Sequence, residues 1–158
     1  SRYGGAIRAR EHAIRAGPDA LWGDVPAWRG FSSLAFHTLF WLDYYLTESP
    51  DGYTPPPPFG LEEMDPDGVL PPRTYTRDEL LAFLDHGRDH CRALLASLTD
   101  DDAMQPSPFT RQAATRGELL LYNMRHVQHH TGQLQLLLRQ HGVEPPRWVR
   151  GETMPLQD

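Results

Sequence analysis

Two histidines lie four residues apart in the longest helical run of the chain, in the segment HVQHH from His126 to His130. Residues i and i+4 lie on the same face of an α-helix, with Cβ atoms roughly 6 Å apart. This spacing lets each imidazole bring one ring nitrogen to a single divalent ion. Two inward-facing histidines would repel each other if both were protonated, whereas a metal binds the neutral ring. The pair therefore predicts a metal site.

A third histidine, His37, lies in the segment FSSLAFHTLFWLDYYLTE. The apolar residues of this segment cover nearly the whole circumference of a helix, which is typical of a buried helix. An unpaired imidazole is costly to bury there, and helical bundles build metal sites from facing helices. We therefore expect His37 to complete a three-histidine site with open coordination positions. The alternative is a metal-free core cluster of neutral, hydrogen-bonded histidines.

The other histidines and the single cysteine are given no metal role. His86 and His90 also have the i, i+4 spacing, but charged residues surround them and both lie off the apolar stripe of their helix, so we interpret them as solvent-facing. His12 and His141 lie near the ends of predicted elements. Cys91 lies on the apolar stripe and is interpreted as a small buried hydrophobic residue.

Three further residues are candidates for a second shell or for substrate binding. Asn123 and Gln133 each lie three residues from one histidine of the pair, and Tyr44 lies on the same arc as His37. Simple helix packing is the alternative for each of them. Asp43 and His129 are the candidates for a fourth ligand, but helical angles turn both away, so we expect three protein ligands. The sequence assigns no catalytic residue.

Four helices must position these residues. Apolar periodicity, capping residues and stop signals predict them at about 4–16, 30–48, 77–98 and 116–141. Thr76 with Glu79, and Thr115 with Glu118, match capping boxes at the starts of the third and fourth helices.

The prediction is an all-α four-helix bundle in one domain, residues 1–158, with a long proline-rich loop between helices 2 and 3. That loop, residues 50–75, contains four consecutive prolines at 55–58 and excludes helix there. Its apolar residues favour a packed loop, which either covers the site or is an inert surface segment. Residues 143–158 form a tail that Trp148 is expected to hold against the bundle.

Composition excludes several classes of function. The chain of 158 residues has a net charge of −6, which argues against a nucleic-acid partner. No apolar run approaches the ~20 residues needed to span a bilayer, and no secretory signal is recognisable. The single cysteine excludes an intrachain disulfide and fits a reducing compartment, so a cytoplasmic protein is expected.

The segments AFHTLFWLDYYL and ELLLYNMRHVQHHTGQLQLLLRQHG resemble the DinB/YfiT-like four-helix-bundle metalloprotein superfamily. Residues 130–134 match the HxGQL part of that family's HxxxHxGQL pattern. The resemblance implies that His37, His126 and His130 bind one divalent metal ion (zinc, nickel or iron) and that the protein is a homodimer. Some relatives join low-molecular-weight thiols such as bacillithiol or mycothiol to electrophiles, and one branch isomerises maleylpyruvate.

These observations together predict a metal-dependent enzyme that acts on a small-molecule substrate. Three neutral imidazoles leave an open position on the metal, where a thiol or a water becomes the nucleophile. The reaction would then be thiol S-transferase-like, with a low-molecular-weight thiol as co-substrate, or hydrolase-like. The alternative is a non-catalytic metal-binding or interaction bundle, in which a fourth protein ligand closes a structural site.

Overall fold

The computed structural model describes residues 1–23 and 30–151. Within these ranges the chain is helical and contains no strand, apart from an isolated bridge between Pro106 and Thr115. The predicted all-α fold class is therefore confirmed. The helices are α1 (Arg2–Ala16), α2 (Asp19–Trp22), α3 (Phe31–Tyr44), α4 (Arg77–Ser97), α5 (Asp100–Met104) and α6 (Arg116–Gln140), with a 3-10 turn at Glu62–Met64.

The four long helices pack around one apolar core. Helices α1 and α3 each contact both α4 and α6, so every long helix has two long neighbours. Burial of their apolar faces is the main stabilising term, because isolated helices of this length are marginal in water. The largest buried apolar side chains are Ile7, Ile14, Phe31, Phe36, Leu39, Phe40, Leu42, Leu46, Leu80, Phe83 and Leu84.

Helix α3 is shorter than predicted because its last carbonyls are satisfied by a tight turn. The N–H of Leu46 donates to the Asp43 carbonyl at 3.0 Å, one residue closer than in an α-helix. The Thr47 hydroxyl donates to the Tyr44 carbonyl at 2.8 Å. The α-helix therefore ends at Tyr44 instead of continuing to residue 48, although Leu46 is still fully buried.

Both predicted capping boxes are present, and they fix the starts of α4 and α6. Thr76 accepts from the N–H of Glu79 and Thr115 from that of Glu118, and each glutamate reaches back to the backbone N–H of its threonine. Side-chain caps of this kind satisfy N–H groups that have no partner within the helix. The first residue of α6 is thereby set, and with it the rotation of the histidine pair.

The segment between α3 and α4 packs on the helices through aromatic residues. Phe59 stacks on Phe36 and Phe83, with ring centroids 5.8 Å and 4.4 Å apart. Tyr75 lies 4.8 Å from Phe36, again between ring centroids. These contacts anchor the segment on both sides of the 3-10 turn at Glu62–Met64, which lies beside α3.

The prediction that Trp148 holds the tail is wrong, because its side chain is 73% exposed. The tail is instead attached through Val143, whose N–H donates to the Leu138 carbonyl at 2.9 Å and whose side chain packs on the core. Residues 152–158 of the predicted tail lie outside the described residues. In the described part of the chain, no helix has the length and apolarity needed to cross a membrane.

Candidate metal centre

The three histidines predicted to bind metal lie together at the α3–α6 interface. One ring nitrogen from each of His37, His126 and His130 lies within 4.8 Å of the other two. The Nε2 atoms of His37 and His126 are 3.3 Å apart. The ring centroid of His130 lies 4.7 Å from that of His37 and 4.4 Å from that of His126. The fold thus gathers residues that are 89 positions apart in sequence.

The spacing of the donor atoms fits a divalent ion. Zinc–nitrogen distances of about 2.0–2.1 Å and tetrahedral angles place two ligand nitrogens about 3.4 Å apart. The separation of 3.3 Å between the Nε2 atoms of His37 and His126 matches that value. A hydrogen bond between the two rings would have a similar length, so the partners of Nδ1 of His37 and of Nδ1 of His130 are needed as further evidence.

The Nδ1 atoms of two of these rings are held by acceptors. Nδ1 of His37 lies 2.6 Å from Oε2 of Glu63, and Nδ1 of His130 lies 2.6 Å from Oε1 of Gln133. A carboxylate or a carbonyl oxygen only accepts, so each Nδ1 carries the hydrogen. In the neutral ring the lone pair is then on Nε2, and Nε2 of His37 is the atom that faces His126. Metal-binding histidines are commonly oriented by such a partner.

Glu63 is a residue of the candidate site that sequence reasoning missed. It lies in the 3-10 turn of the proline-rich segment, and its Oε2 also accepts from Nε1 of Trp41 at 3.1 Å. No spacing in the sequence relates Glu63 to His37, since the segment has no helical period that would place it. Only the folded path of the segment brings this carboxylate to α3.

Burial keeps the histidine pair of α6 neutral. It lowers the pKa of His126 to about 3 and that of His130 to about 4, from an ordinary value of 6.5. Neighbouring histidines add to the effect because two charged imidazoles repel each other. Both rings are therefore unprotonated at neutral pH, which is the form that binds a metal.

A buried arginine, Arg10 of α1, lies near the pair. Its side chain is fully buried, and Nη2 donates to the carbonyl of Leu34 at 2.6 Å and to Oγ1 of Thr38 at 2.7 Å. No carboxylate in residues 1–23 and 30–151 pairs with it. Burial lowers the pKa of this guanidinium to about 9, and its charge in turn lowers the pKa of His126 and His130.

The three candidate helper residues occupy different surroundings. Gln133 lies at the site, through its hydrogen bond to His130. Asn123 is fully buried, and its Nδ2 donates to the Leu42 carbonyl at 2.9 Å, so it links α6 to α3. Tyr44 packs in an aromatic cluster, 4.8 Å from Phe109 between ring centroids, and the ring contacts of Tyr44 among the described residues do not include the three histidines.

Helix α4 requires a correction. The sequence predicts that His86 and His90 face solvent, and His86 does, with 49% of its side chain exposed. His90 departs from the prediction, because its Nδ1 lies 2.9 Å from Oδ1 of Asp43 and its side chain is only 33% exposed. The apolar stripe of α4 packs against α3, which brings the flank of the stripe to the α3–α4 seam. Within the described residues, the three-histidine group includes no fourth histidine, cysteine or carboxylate, so neither Asp43 nor His129 joins it.

A cavity of about 660 Å³ opens beside His37 and His130. One wall comes from the proline-rich segment and carries Glu62, Glu63 and Asp65, and the other comes from α6 and carries Leu136 and Leu137. Pockets for small molecules typically have volumes of about 300–1,000 Å³ and combine apolar walls with a few polar groups. The segment therefore forms part of the cavity next to the histidines.

Fold and site together define a helical protein whose inward-facing histidines form a group with the spacing of a metal centre. A family model described as the DinB superfamily matches residues 8–134, which is well over half of the chain. The chain therefore belongs to the DinB superfamily, and the resemblance seen in the sequence is confirmed. Searches of curated proteins and of solved structures returned no match to the chain.

Proposed function

We propose that this protein is a metal-dependent enzyme in which His37, His126 and His130 hold one divalent ion. The observation that carries the proposal is the pair of Nε2 atoms 3.3 Å apart, backed by acceptors on Nδ1 of His37 and of His130. A divalent ion on three neutral imidazoles and with an open position would favour the thiolate form of a thiol or the hydroxide form of a water.

The side chains around the cluster hold the ligands in place. Glu63 and Gln133 each accept the Nδ1 hydrogen of a histidine, which fixes both the tautomer and the orientation of the ring. Glu63 also bears a negative charge that faces Nδ1 of His37. We further propose that the four long helices are the DinB-type four-helix bundle and that the proline-rich segment contributes the substrate wall.

The cavity supports a small-molecule substrate that does not carry a large negative charge. Glu62, Glu63 and Asp65 lie on one wall and leucines on the other. Like charges repel strongly where water is partly excluded, so this wall disfavours a substrate with a large negative charge. A neutral or cationic thiol or electrophile with an apolar part fits better, and the reaction is then a thiol transfer or a hydrolysis.

The first experiment is a measurement of metal content per chain by mass spectrometry, on protein purified without an affinity tag. We expect about one equivalent of zinc, nickel or iron at the three-histidine site. His37→Ala and His130→Ala should each lose it while circular dichroism stays helical. His12→Ala is the matched control and should retain it. Equal metal content in the wild type and both ligand variants would overturn the proposal.

The second experiment separates an enzyme from a metal-binding bundle without catalysis. Thiols of different charge are incubated with an electrophile in the presence of the metal-loaded protein, beside His130→Ala. A rate that depends on the metal and on His130 supports thiol transfer, and hydrolysis of esters and amides is measured in the same way. Metal binding without any such rate would leave the non-catalytic alternative. Light scattering tests the expected homodimer.

A further inference from the structure

A second group of possible metal ligands lies at the α3–α4 seam. It consists of Asp43 from α3 and of His86 and His90 from α4, and one ligand atom from each lies within 4.8 Å of the other two. Oδ1 of Asp43 is 2.9 Å from Nδ1 of His90 and 3.3 Å from Nε2 of His86. We propose that these three residues form a second binding site for a divalent transition-metal ion.

The burial and the hydrogen bonding of Asp43 suit it to bind a metal ion. Asp43 is 2% exposed, and a buried carboxylate is costly unless it is paired or binds a metal. Its Oδ2 accepts a hydrogen bond from the Tyr53 hydroxyl at 2.9 Å. Oδ1 is therefore the atom left to face the two imidazoles, as in a metal site where an outer hydrogen bond orients a single-atom carboxylate ligand.

The two histidines complete a two-histidine, one-carboxylate donor set. They are four residues apart on α4, so their rings project from one face. Imidazole and carboxylate ligands with open positions suit zinc and iron(II). The side chains of His86 and His90 are 49% and 33% exposed, so water or another ligand can occupy the remaining positions. His90 also lines a neighbouring cavity of about 430 Å³.

This group is separate from the three-histidine cluster. Asp43 follows His37 by six residues on α3, which rotates it by about 240° and moves it about 9 Å along the helix axis. One site therefore faces α6 and the other faces α4. Metal ions that act together lie about 3.5–4 Å apart, so the two sites would work as single centres. The inference is independent of the proposed function.

The competing explanation is a hydrogen-bonded charge cluster without a metal. In that case His90 donates to Asp43 and the interaction only joins α4 to α3. The two explanations differ in what zinc does to the rings. A bound ion changes the resonances of both ring nitrogens of each ligand histidine, whereas a charge cluster leaves them unchanged.

The test is a titration of the metal-free protein with zinc chloride, followed by calorimetry and by NMR of the histidine ring nitrogens. We expect two equivalents for the wild type. The double variant His86→Ala/His90→Ala should bind one equivalent, and so should His126→Ala/His130→Ala. His12→Ala, which removes a histidine outside both groups, should still bind two. In the His126→Ala/His130→Ala background, zinc should still shift the ring signals of His86 and His90.

A failure here is distinguishable from a failure of the proposed function. One equivalent in the wild type that survives His86→Ala/His90→Ala, with no zinc-dependent shift of these rings, would overturn the second site and leave the first intact. Asp43→Asn provides a further check because it keeps an acceptor for Tyr53. It should weaken the second equivalent by at least about tenfold, and unchanged binding in that variant would also count against the proposal.

Discussion

Glu63 of the proline-rich segment holds His37 of α3, with its Oε2 2.6 Å from Nδ1 of the ring. The contact joins the 3-10 turn of that segment to α3, a helix with a largely buried surface. It orients Nε2 of His37 toward Nε2 of His126, which lies 3.3 Å away. The geometry of the proposed metal centre therefore depends on a residue outside the helices that carry the histidines.

Replacing this carboxylate should weaken metal binding without removing a ligand. Glu63→Gln keeps the size of the side chain but loses the charge that faces His37 Nδ1. Partners of metal-binding histidines are typically worth about 10–100-fold in affinity, so a loss in this range is expected for the three-histidine site. Competition with a chromophoric chelator measures it.

The matched control for Glu63→Gln is Asp67→Asn, which removes a charge from the same segment at an exposed position. It should leave the affinity nearly unchanged, which corrects for the loss of one negative charge in the vicinity. Equal weakening in both variants would mean that the general charge of the segment matters, and not the contact with His37.

Much of the site could be predicted because helical period and capping are local properties. The i, i+4 spacing of His126 and His130 fixes their common face, and the Thr115 capping box fixes where α6 begins. The apolar pattern of its own helix indicated that His37 is the third ligand. The interhelical approach of α3 and α6 was a hypothesis from the residue types, and the structure brings the three rings together.

The features that the sequence did not predict depend on tertiary packing. Glu63 lies in a segment without periodicity, so no sequence rule relates it to His37. His90 lies at the edge of the apolar stripe of α4, where a small change in helix rotation decides between water and Asp43. Trp148 is apolar in type but lies in a tail that leaves it exposed. In each case the long-range path of the chain decides the outcome.

The metal-free protein should lose stability as the pH falls from about 6.5 towards 3. The pKa of His126 is lowered to about 3 and that of His130 to about 4, while both return to ordinary values in the unfolded chain. In this range the unfolded state binds more protons than the folded state, so acid favours unfolding. Urea unfolding at a series of pH values measures how the free energy of unfolding changes with pH.

A comparison with His126→Gln isolates the contribution of the histidine. Carboxylates such as Glu79, whose pKa is held at about 2 by Arg73 and the helix cap, affect stability only below their ordinary value of 4.5. Between pH 6.5 and 4.5 the variant should therefore show a flatter dependence than the wild type. Parallel curves over that interval would contradict the prediction.

Removing the buried cation of α1 should make the histidine pair easier to protonate. In the wild-type protein the charge of Arg10 lowers the pKa of His126 and of His130. Both pKa values should therefore rise in Arg10→Met. Burial is the larger cause and remains, so neither pKa should reach 6.5. Metal affinity should rise severalfold, since a cation no longer repels the ion.

The measurement for Arg10→Met is an NMR titration of the histidine rings in the metal-free protein, together with a zinc affinity. Arg8→Met, an exposed position on the same helix, is the matched control and should leave both unchanged. The variant should fold, because replacing a buried charge by an apolar side chain of similar size is often neutral for stability. A fall in zinc affinity with the helical content intact would show that Arg10 supports the site.

Gly132 lies between the proposed ligand His130 and its partner Gln133, and its position leaves room for a methyl group. A Cβ added there meets no atom within 4 Å, whereas one added at Gly87 approaches Cδ2 of the buried Leu42 to 3.2 Å. Glycine within a helix costs about 0.5–1 kcal/mol relative to alanine. Gly132→Ala should therefore raise the free energy of unfolding by about that amount, and Gly87→Ala should raise it less because Leu42 must shift.

Urea unfolding compares the stability of Gly132→Ala and Gly87→Ala, with metal content measured alongside. If Gly132→Ala is more stable but binds no metal at the three-histidine site, the backbone at this position must be needed by that site and not by the fold.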